Sequence, residues 1–309
     1  MNKKVVGKSG ITAQVVAHSV SKDGKELITM SIKYGLIVHG EFLRHRLLSN
    51  SVKSNRAIPM DVLRKEVLEA PYVPVFLGAK QRGMVADNEV KNPKLAEKLW
   101  KWARYPACFA HWIAEKLGAH KEWANRLLNP WQYVEETVTA TEWDNFYHLR
   151  LDSNAQRDIQ ELAKVMLEAY KQSIPTLLQE GEWHTPYVAS YPTVDNKRKY
   201  IDNDGKELCP VDAVKVSAAR CARSSYNKHD KTTTTLKDDL PLYSALIEAS
   251  PVHGSPLEHQ GTPMVGENED NYTHISKDGV KWSGNFQGWV QARQTLEGHT
   301  NWNYLDQYK

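Results

Sequence analysis

Apolar and polar positions along the chain follow two periods. Residues 11–19, ITAQVVAHS, are rich in β-branched side chains and read as a strand, and Asp23-Gly24 in KDGK at 22–25 is a strong hairpin turn signal. Residues 26–38 then read as the partner strand, running into a basic stretch that Ile58-Pro59 closes, because a residue before proline avoids the helical region. IPMDVLRKEVLEAP reads as a short helix. Asn92-Pro93 is a cap followed by a first-turn proline, and it opens a helical pattern reaching Gly118, which Pro106 should kink or divide. HKEWANRLLNPW is a further short helix ending near Pro130, whereas EETVTATEWDNFYHLRLD fits helix and strand alike.

The clearest helix follows. Ser153 to Gln156 fits a capping box, with Ser153 as N-cap, and Ala155, Ile159, Leu162, Met166 and Tyr170 form an apolar stripe at helical spacing that ends before Pro175. From about 180 to 212 the chain turns polar and reads as a linker or excursion. DAVKVSAARCARSSY comes next, then the polar loop NKHDKTTTTLKDD and a helix over LPLYSALIEAS. The Asn-, Gly- and Trp-rich tail after 262 predicts one helix near GNFQGWVQARQTL. The mixture predicts an α+β chain with three parts: a core over 1–180, the excursion over 181–212 and a C-terminal block over 213–309.

Composition narrows the functional classes. A 309-residue chain of 25% charged residues with net charge +3 is ordinary for a soluble protein, which argues against a polyanion-coating surface and hence against nucleic acid as a partner. MNKKVVGKSG lacks the apolar stretch of a signal peptide, and no apolar run reaches membrane-spanning length. Cys108, Cys209 and Cys221 are widely separated with no CxxC pair, so neither a disulfide framework nor a zinc cluster is expected, and a reducing cytoplasm fits.

The candidate chemistry begins at RHRLLSNSVKSNR, residues 44–56. Arginine forks match phosphate oxygens two at a time, and hydroxyls and backbone N–H groups between them add donors. The segment reads as a phosphate grip or, as generic RHR stretches usually are, a solvated basic turn. Arg126 in NRLLNPW and Arg150 in HLRLDSNAQ are further cations. Each has a plain alternative, a helix-surface arginine for the first and an ion pair with Asp144 or Asp152 for the second. HGSPLEHQ at 253–260 gathers His253, Ser255, Glu258 and His259, but a third metal ligand has no obvious source and no HExxH, P-loop or GxGxxG accompanies it.

Together these segments resemble the flavin-dependent thymidylate synthases. Arg44, His45, Arg46, Ser49, Ser54 and Arg56 fit every fixed position of that family's RHRxxSxxxxSxR signature; NRLLNPW is similar to its ARxxLP segment; and LRLDSNAQRDIQELA closely resembles its LRxDSHAQxEIxxxA stretch. Two further family elements, ARxSY and HxSPFEH, normally precede the RHR strand. Here they resemble Ala222–Tyr226 and His253–His259 at the other end of the chain, so the resemblance implies a member with permuted motif order, an antiparallel sheet packed with helices, and residues 215–262 folded back beside the RHR segment in the same or a neighbouring subunit.

What the resemblance implies about function is specific. FAD would be held by Arg44, His45, Arg46, Ser49, Ser225, His253, Ser255 and Glu258. A pyrimidine nucleotide, dUMP in the family, would be held by Glu41, Ser54, Asn55, Arg56, Arg126 and Arg150. Arg150 and His45 would sit at the reacting centre. NADPH and methylenetetrahydrofolate would serve as co-substrates, dTMP would be the product, and a homotetramer would share its active sites. The pattern departs from the family at Glu41, where a glutamine is usual, at Ser51, Val52 and Ala57, where Asn, Glu and Tyr stand, and at Thr141, where an arginine is usual. These departures leave room for another pyrimidine nucleotide, for a hydroxymethyl rather than a methyl product, or for a non-catalytic nucleotide-binding homologue. Residues 60–92 and 262–309 receive no role beyond packing.

Overall fold

The computed structural model describes residues 2–194, 197–223 and 234–298. Its centre is a six-stranded sheet of β1 (Val5–Val6), β2 (Thr12–Val20), β3 (Glu26–Gly35), β4 (Ser49–Val52), β5 (Tyr133–Ala140) and β6 (Thr176–Leu177). The order is β1-β2-β3-β5-β4, all antiparallel, with β6 parallel to β2 at Ser19↔Thr176. The β2–β3 hairpin turns at Gly24, whose φ of 77° suits glycine.

One face of this sheet is apolar. Ala13, Val15, Ile28, Met30, Ile32, Val138 and Ala140 pack against Ile159, Leu162, Ala163 and Met166 of α6 (Arg157–Lys171) and against Phe146 of α5 (Asp144–Leu151). The opposite face is unusual in presenting hydroxyls, Thr29, Thr137, Thr139, Ser49 and Ser51, all buried. The C-terminal block covers that face. It contains α7 (Pro210–Arg223), α8 (Leu236–Ile247), and β10 (Gly261–Pro263) paired antiparallel with β14 (Trp289–Gln291). Leu27 meets Leu178, Phe286 and Trp289 there, so Leu27, Ile28, Thr29 and Met30 are buried in succession on a strand covered on both sides.

The remaining helices flank the RHR segment. α1 (His39–Phe42) leads into it, α2 (Met60–Glu69) follows it, and α3 (Pro93–Lys116) and α4 (Lys121–Ala124) precede a 3₁₀ stretch over Asn125–Trp131. Ile58, Leu63, Val67, Cys108, Leu128 and Trp131 form their own core.

Several expectations need correction. The strand from residue 26 ends at Gly35 rather than 38, where the backbone lies against the Tyr72 ring, and α1 intervenes before Arg44. Pro106 does not divide α3, which runs unbroken from Pro93 to Lys116 with Pro106 on its exposed side. Residues 133–151 are both a strand and a helix. The N-cap of α6 is Gln156, whose side chain accepts from the Asp158 and Ile159 N–H groups, so Ser153 is not the cap. The polar excursion contains a small sheet of β7 (Ala189–Pro192), β8 (Arg198–Ile201) and β9 (Glu207–Leu208). The single helix expected over 284–296 does not form; only a 3₁₀ turn over Ala292–Thr295 is helical there. Gly284 and Gly288, at φ of 60° and 69°, turn the tail into β11 (His274–Ile275), β12 (Lys281–Ser283), β13 (Phe286–Gln287) and β14.

Candidate active site

Arg150 occupies the last turn of α5 and reaches back to the RHR turn. Its Nε donates to His45 Nε2 at 2.7 Å, and its Nη2 lies 3.4 Å from the Glu41 carbonyl. The acceptor role of Nε2 places the His45 proton on Nδ1. Burial, and then the Arg150 charge, push the His45 pKa down to about 4, so the imidazole is neutral at pH 7. Phe146 holds the ring edge-to-face at 4.9 Å between centroids. Arg44 and Arg46 flank His45, both exposed, with no ion-pair partner among the described residues. Glu41 Oε2 is buried and has no hydrogen-bond partner among the described residues.

A second cluster gathers around Glu122. Arg56 lies 3.6 Å from its carboxylate, and Arg126 Nε donates to its carbonyl at 3.2 Å. Ser54 caps the adjacent turn by accepting from the Arg56 N–H, and Asn55 Nδ2 approaches Asn129 Oδ1 at 3.4 Å. Support comes from α2 and α3 through residues that motif reading passed over. Arg64 donates to His111 Nδ1 at 3.1 Å, so His111 Nε2 donates to Asn125 Oδ1 at 3.0 Å, and Asn125 Nδ2 donates to the Asn55 carbonyl at 2.8 Å. The Arg150 and Arg126 clusters share no hydrogen bond or ion pair among the described residues.

The C-terminal block meets β4 in the same chain. Ser49 is buried, and its hydroxyl is held by Asn285, which donates to Ser49 Oγ at 2.9 Å and to the Leu47 carbonyl at 3.1 Å. Gln291 Nε2 donates to Asn285 Oδ1 at 2.7 Å and lies 3.2 Å from the Glu258 carbonyl. Glu258 pairs with Arg293. Ser255 is exposed at the start of a 3₁₀ turn, and His253 is exposed with its N–H on the Leu246 carbonyl at 2.8 Å. Arg223 of the ARSSY stretch pairs with Asp239 at 3.1 Å, beside the buried Arg220–Asp239 pair at 2.9 Å; Ser225 lies outside the described residues.

His259 of the block and His184 of the 181–212 segment both bond to the hydroxyl face. Hydrogen bonds of 2.7–2.8 Å run unbroken from Ser51 to His259, Thr139, Thr29, His184 and Ser19. Both imidazoles are buried, which holds each pKa down to about 3. A neutral imidazole is one donor and one acceptor, so the whole chain is satisfied with its protons pointing one way. On the sheet's other face Tyr34 donates to Glu136 at 2.5 Å and meets His39 Nδ1 at 2.8 Å; burial raises the Glu136 carboxyl to about 8, and its Oε1 has no partner. Sequence offered no signal for His184, Asn285 or Gln291, which stand in segments without a motif.

The family model for thymidylate synthase complementing proteins matches residues 26–176, from the start of β3 through α6 into β6, and so takes in both arginine clusters. Over that span, just under half of its length, the chain is similar to that family. The match ends before the C-terminal block. Among solved structures the chain is similar to a UMP/dUMP methylase PolB from Streptomyces cacaoi bound with 5-Br UMP, at 17% identity and a TM-score of 0.41, over 55% of this chain and 96% of that one. No curated protein matches it. Among the described residues no helix is long and apolar enough to cross a membrane, and no three His, Cys, Asp or Glu side chains form a metal-binding group.

Proposed function

We propose that this chain is an FAD-dependent enzyme that adds a one-carbon unit to C5 of a pyrimidine nucleotide, converting dUMP to dTMP with methylenetetrahydrofolate and NADPH, as a homotetramer with shared sites. The observation that carries the reading is the Arg150 fork, fixed by a neutral His45 and the Glu41 carbonyl inside the span that matches the family. The residues fit a flavin dinucleotide: Arg44 and Arg46 are exposed cations with no acidic partner among the described residues, suited to a diphosphate. FAD when bound supplies hydride chemistry that no side chain here can.

The chain's own residues position and polarise. His45, neutral with its proton on Nδ1, keeps the Arg150 guanidinium turned so that its remaining N–H groups face the pyrimidine carbonyls and stabilise charge developing on the ring. Ser54, Asn55, Arg56 and Arg126 form a phosphate grip, from which Glu122 must yield its arginines to the nucleotide. His253, Ser255 and Glu258 stand on the covering block as further flavin contacts. Ser49 would contact flavin only by releasing Asn285.

The test is to purify the protein, record its visible absorption, identify any released cofactor by mass, and add NADPH anaerobically with and without dUMP. Bound FAD whose bleaching depends on dUMP is the expected result; absence of bound flavin even after adding FAD overturns the redox reading. A second reading, another pyrimidine nucleotide or a hydroxymethyl product, is favoured by one observation. Ser51, where the family carries a longer polar side chain, turns its hydroxyl to His259 and not outward. Rescue of a thymidine-requiring strain separates the two, since only the first supplies dTMP.

A further inference from the structure

Helix α3 carries two apolar faces, and only one is used inside the chain. Cys108, His111 and Ala114 are buried against α2 and its neighbours. On the opposite side Leu95, Leu99, Trp102, Pro106, Phe109 and Ile113 face outward, with Leu95, Leu99, Trp102 and Phe109 each 61–63% exposed. Their spacing alternates four and three residues across the whole helix, the 3.5-residue period by which one helix keeps a seam against another. With Tyr105 and Trp112 beside them, these side chains expose roughly 1,000 Å², where one partner of a standard interface contributes about 800 Å².

The stripe is complementary to itself. In an antiparallel pair, with the twofold axis at the level of residues 104–105, Leu99 meets Phe109, Trp102 meets Pro106 and Ile113 meets Leu95, so every seam residue is matched. Tyr105 meets its own copy on one flank, and Lys98 lies beside Trp112 of the partner subunit, a cation over an indole. Ala96, Ala103 and Ala110 form the other flank and let the backbones approach. We propose that α3 pairs antiparallel with α3 of a second copy of this chain, and that this seam is a principal interface in solution. The inference deepens the homotetramer of the proposed function by naming a seam and rests on that part of the reading alone; a double variant of unchanged mass overturns the seam and leaves the assembly and the reaction standing.

The experiment is light scattering after gel filtration on the full chain and on Leu99→Lys/Phe109→Lys, at one concentration near 20 μM as an order-of-magnitude choice for a micromolar interface. The wild-type chain should run as an even number of copies, and the double variant at half that mass or less, with unchanged circular dichroism because both positions are exposed. In a Cys209→Ser background, Tyr105→Cys should form an intermolecular disulfide on mild oxidation, while Glu97→Cys, off the seam, should not. A monomeric wild type, a double variant of unchanged mass, equal cross-linking at 97 and 105, or a monomer that instead co-sediments with phosphatidylcholine vesicles would each overturn the proposal.

Discussion

Folding stability should peak near pH 6.5 and fall on both sides, for two different buried reasons. His184 and His259 have folded pKa values of about 3 against an ordinary 6.5. A depressed histidine contributes stability that is complete above 6.5 and lost as pH falls toward the folded value, because only the unfolded chain takes up the proton. Each loses about 1.4 kcal/mol per pH unit, so from pH 6.5 to 4.5 the pair loses roughly 5 kcal/mol. Glu136 works in the opposite sense. Its folded pKa of about 8 exceeds the ordinary 4.5, so its contribution is complete below 4.5 and is lost as pH rises toward 8. Across the acid window it offsets about half of the histidine loss, leaving a net fall of about 3 kcal/mol, to which the lowered His18, His39 and His45 add in the same direction. From 6.5 to 8 Glu136 loses about 2 kcal/mol, against which the last deprotonation of the unfolded His184 and His259 returns about 1 kcal/mol, leaving a smaller net fall. The assay is urea unfolding followed by tryptophan fluorescence at several pH values and one fixed chain concentration, so that self-association does not shift the midpoint. Glu136→Gln keeps an acceptor for Tyr34 while removing the charge. It should flatten the alkaline limb and steepen the acid limb from about one proton to about two. A wild-type curve flat from pH 6.5 to 8, or a Glu136→Gln variant that still falls there, would refute the reasoning.

Three other outcomes follow from named contacts. Arg150→Ala should weaken pyrimidine nucleotide binding by roughly 10- to 100-fold, the value of one or two charge-assisted hydrogen bonds, as read by isothermal titration, with unfolding midpoints little changed. Asn285→Ala should destabilise the fold by about 1 kcal/mol, because the Leu47 carbonyl loses its donor and Ser49 keeps only the longer bond from Gln291, and hydrogen exchange should quicken at residues 47–49 and not at β2. Gly35→Ala should cost about 2–4 kcal/mol in urea unfolding, because the new methyl overlaps the ring of Tyr72, a fully buried side chain fixed by its hydrogen bond to Asp158.

The hairpin of β2 and β3 and the stripe of α6 were legible because apolar periodicity and a turn signal pointed to one answer. β4 was not, because its inward residues are Ser49 and Ser51, and a strand whose buried face is made of hydroxyls shows no hydrophobic alternation. The tail misled for a related reason. GNFQGWVQ carries buried Phe286, Trp289 and Val290 at intervals compatible with a helix, while the positive φ of Gly284 and Gly288 breaks it into two- and three-residue strands. At the site, the pairing of Arg150 with the RHR turn follows from motif resemblance. The partners of Ser49 lie 236 and 242 positions away, and nothing local announces them.

The hydroxyl face also shows how a block distant in sequence can be seated beside the RHR segment. Thr29, Thr139 and Ser51 are aligned by strand pairing within the central sheet, Thr29 opposite Thr139 and Ser51 opposite Thr137, and this alignment uses no C-terminal residue. The block docks through the side chains of His259, Asn285 and Gln291, with His184 of the 181–212 segment bridged to Gly261 beside them, and among the described residues β10 and β14 do not pair with the central sheet. A block that joined as a sheet strand would have its direction and register fixed by the ladder, and its position in the sequence constrained by the connections. One that docks by side-chain hydrogen bonds needs only a tether of sufficient reach. Moving ARxSY- and HxSPFEH-like elements from before the RHR segment to after it is therefore compatible with an unchanged central sheet. The sensitive point of such an arrangement is the imidazole pair, since a buried polar network left half satisfied destabilises more than an apolar contact of the same area would stabilise.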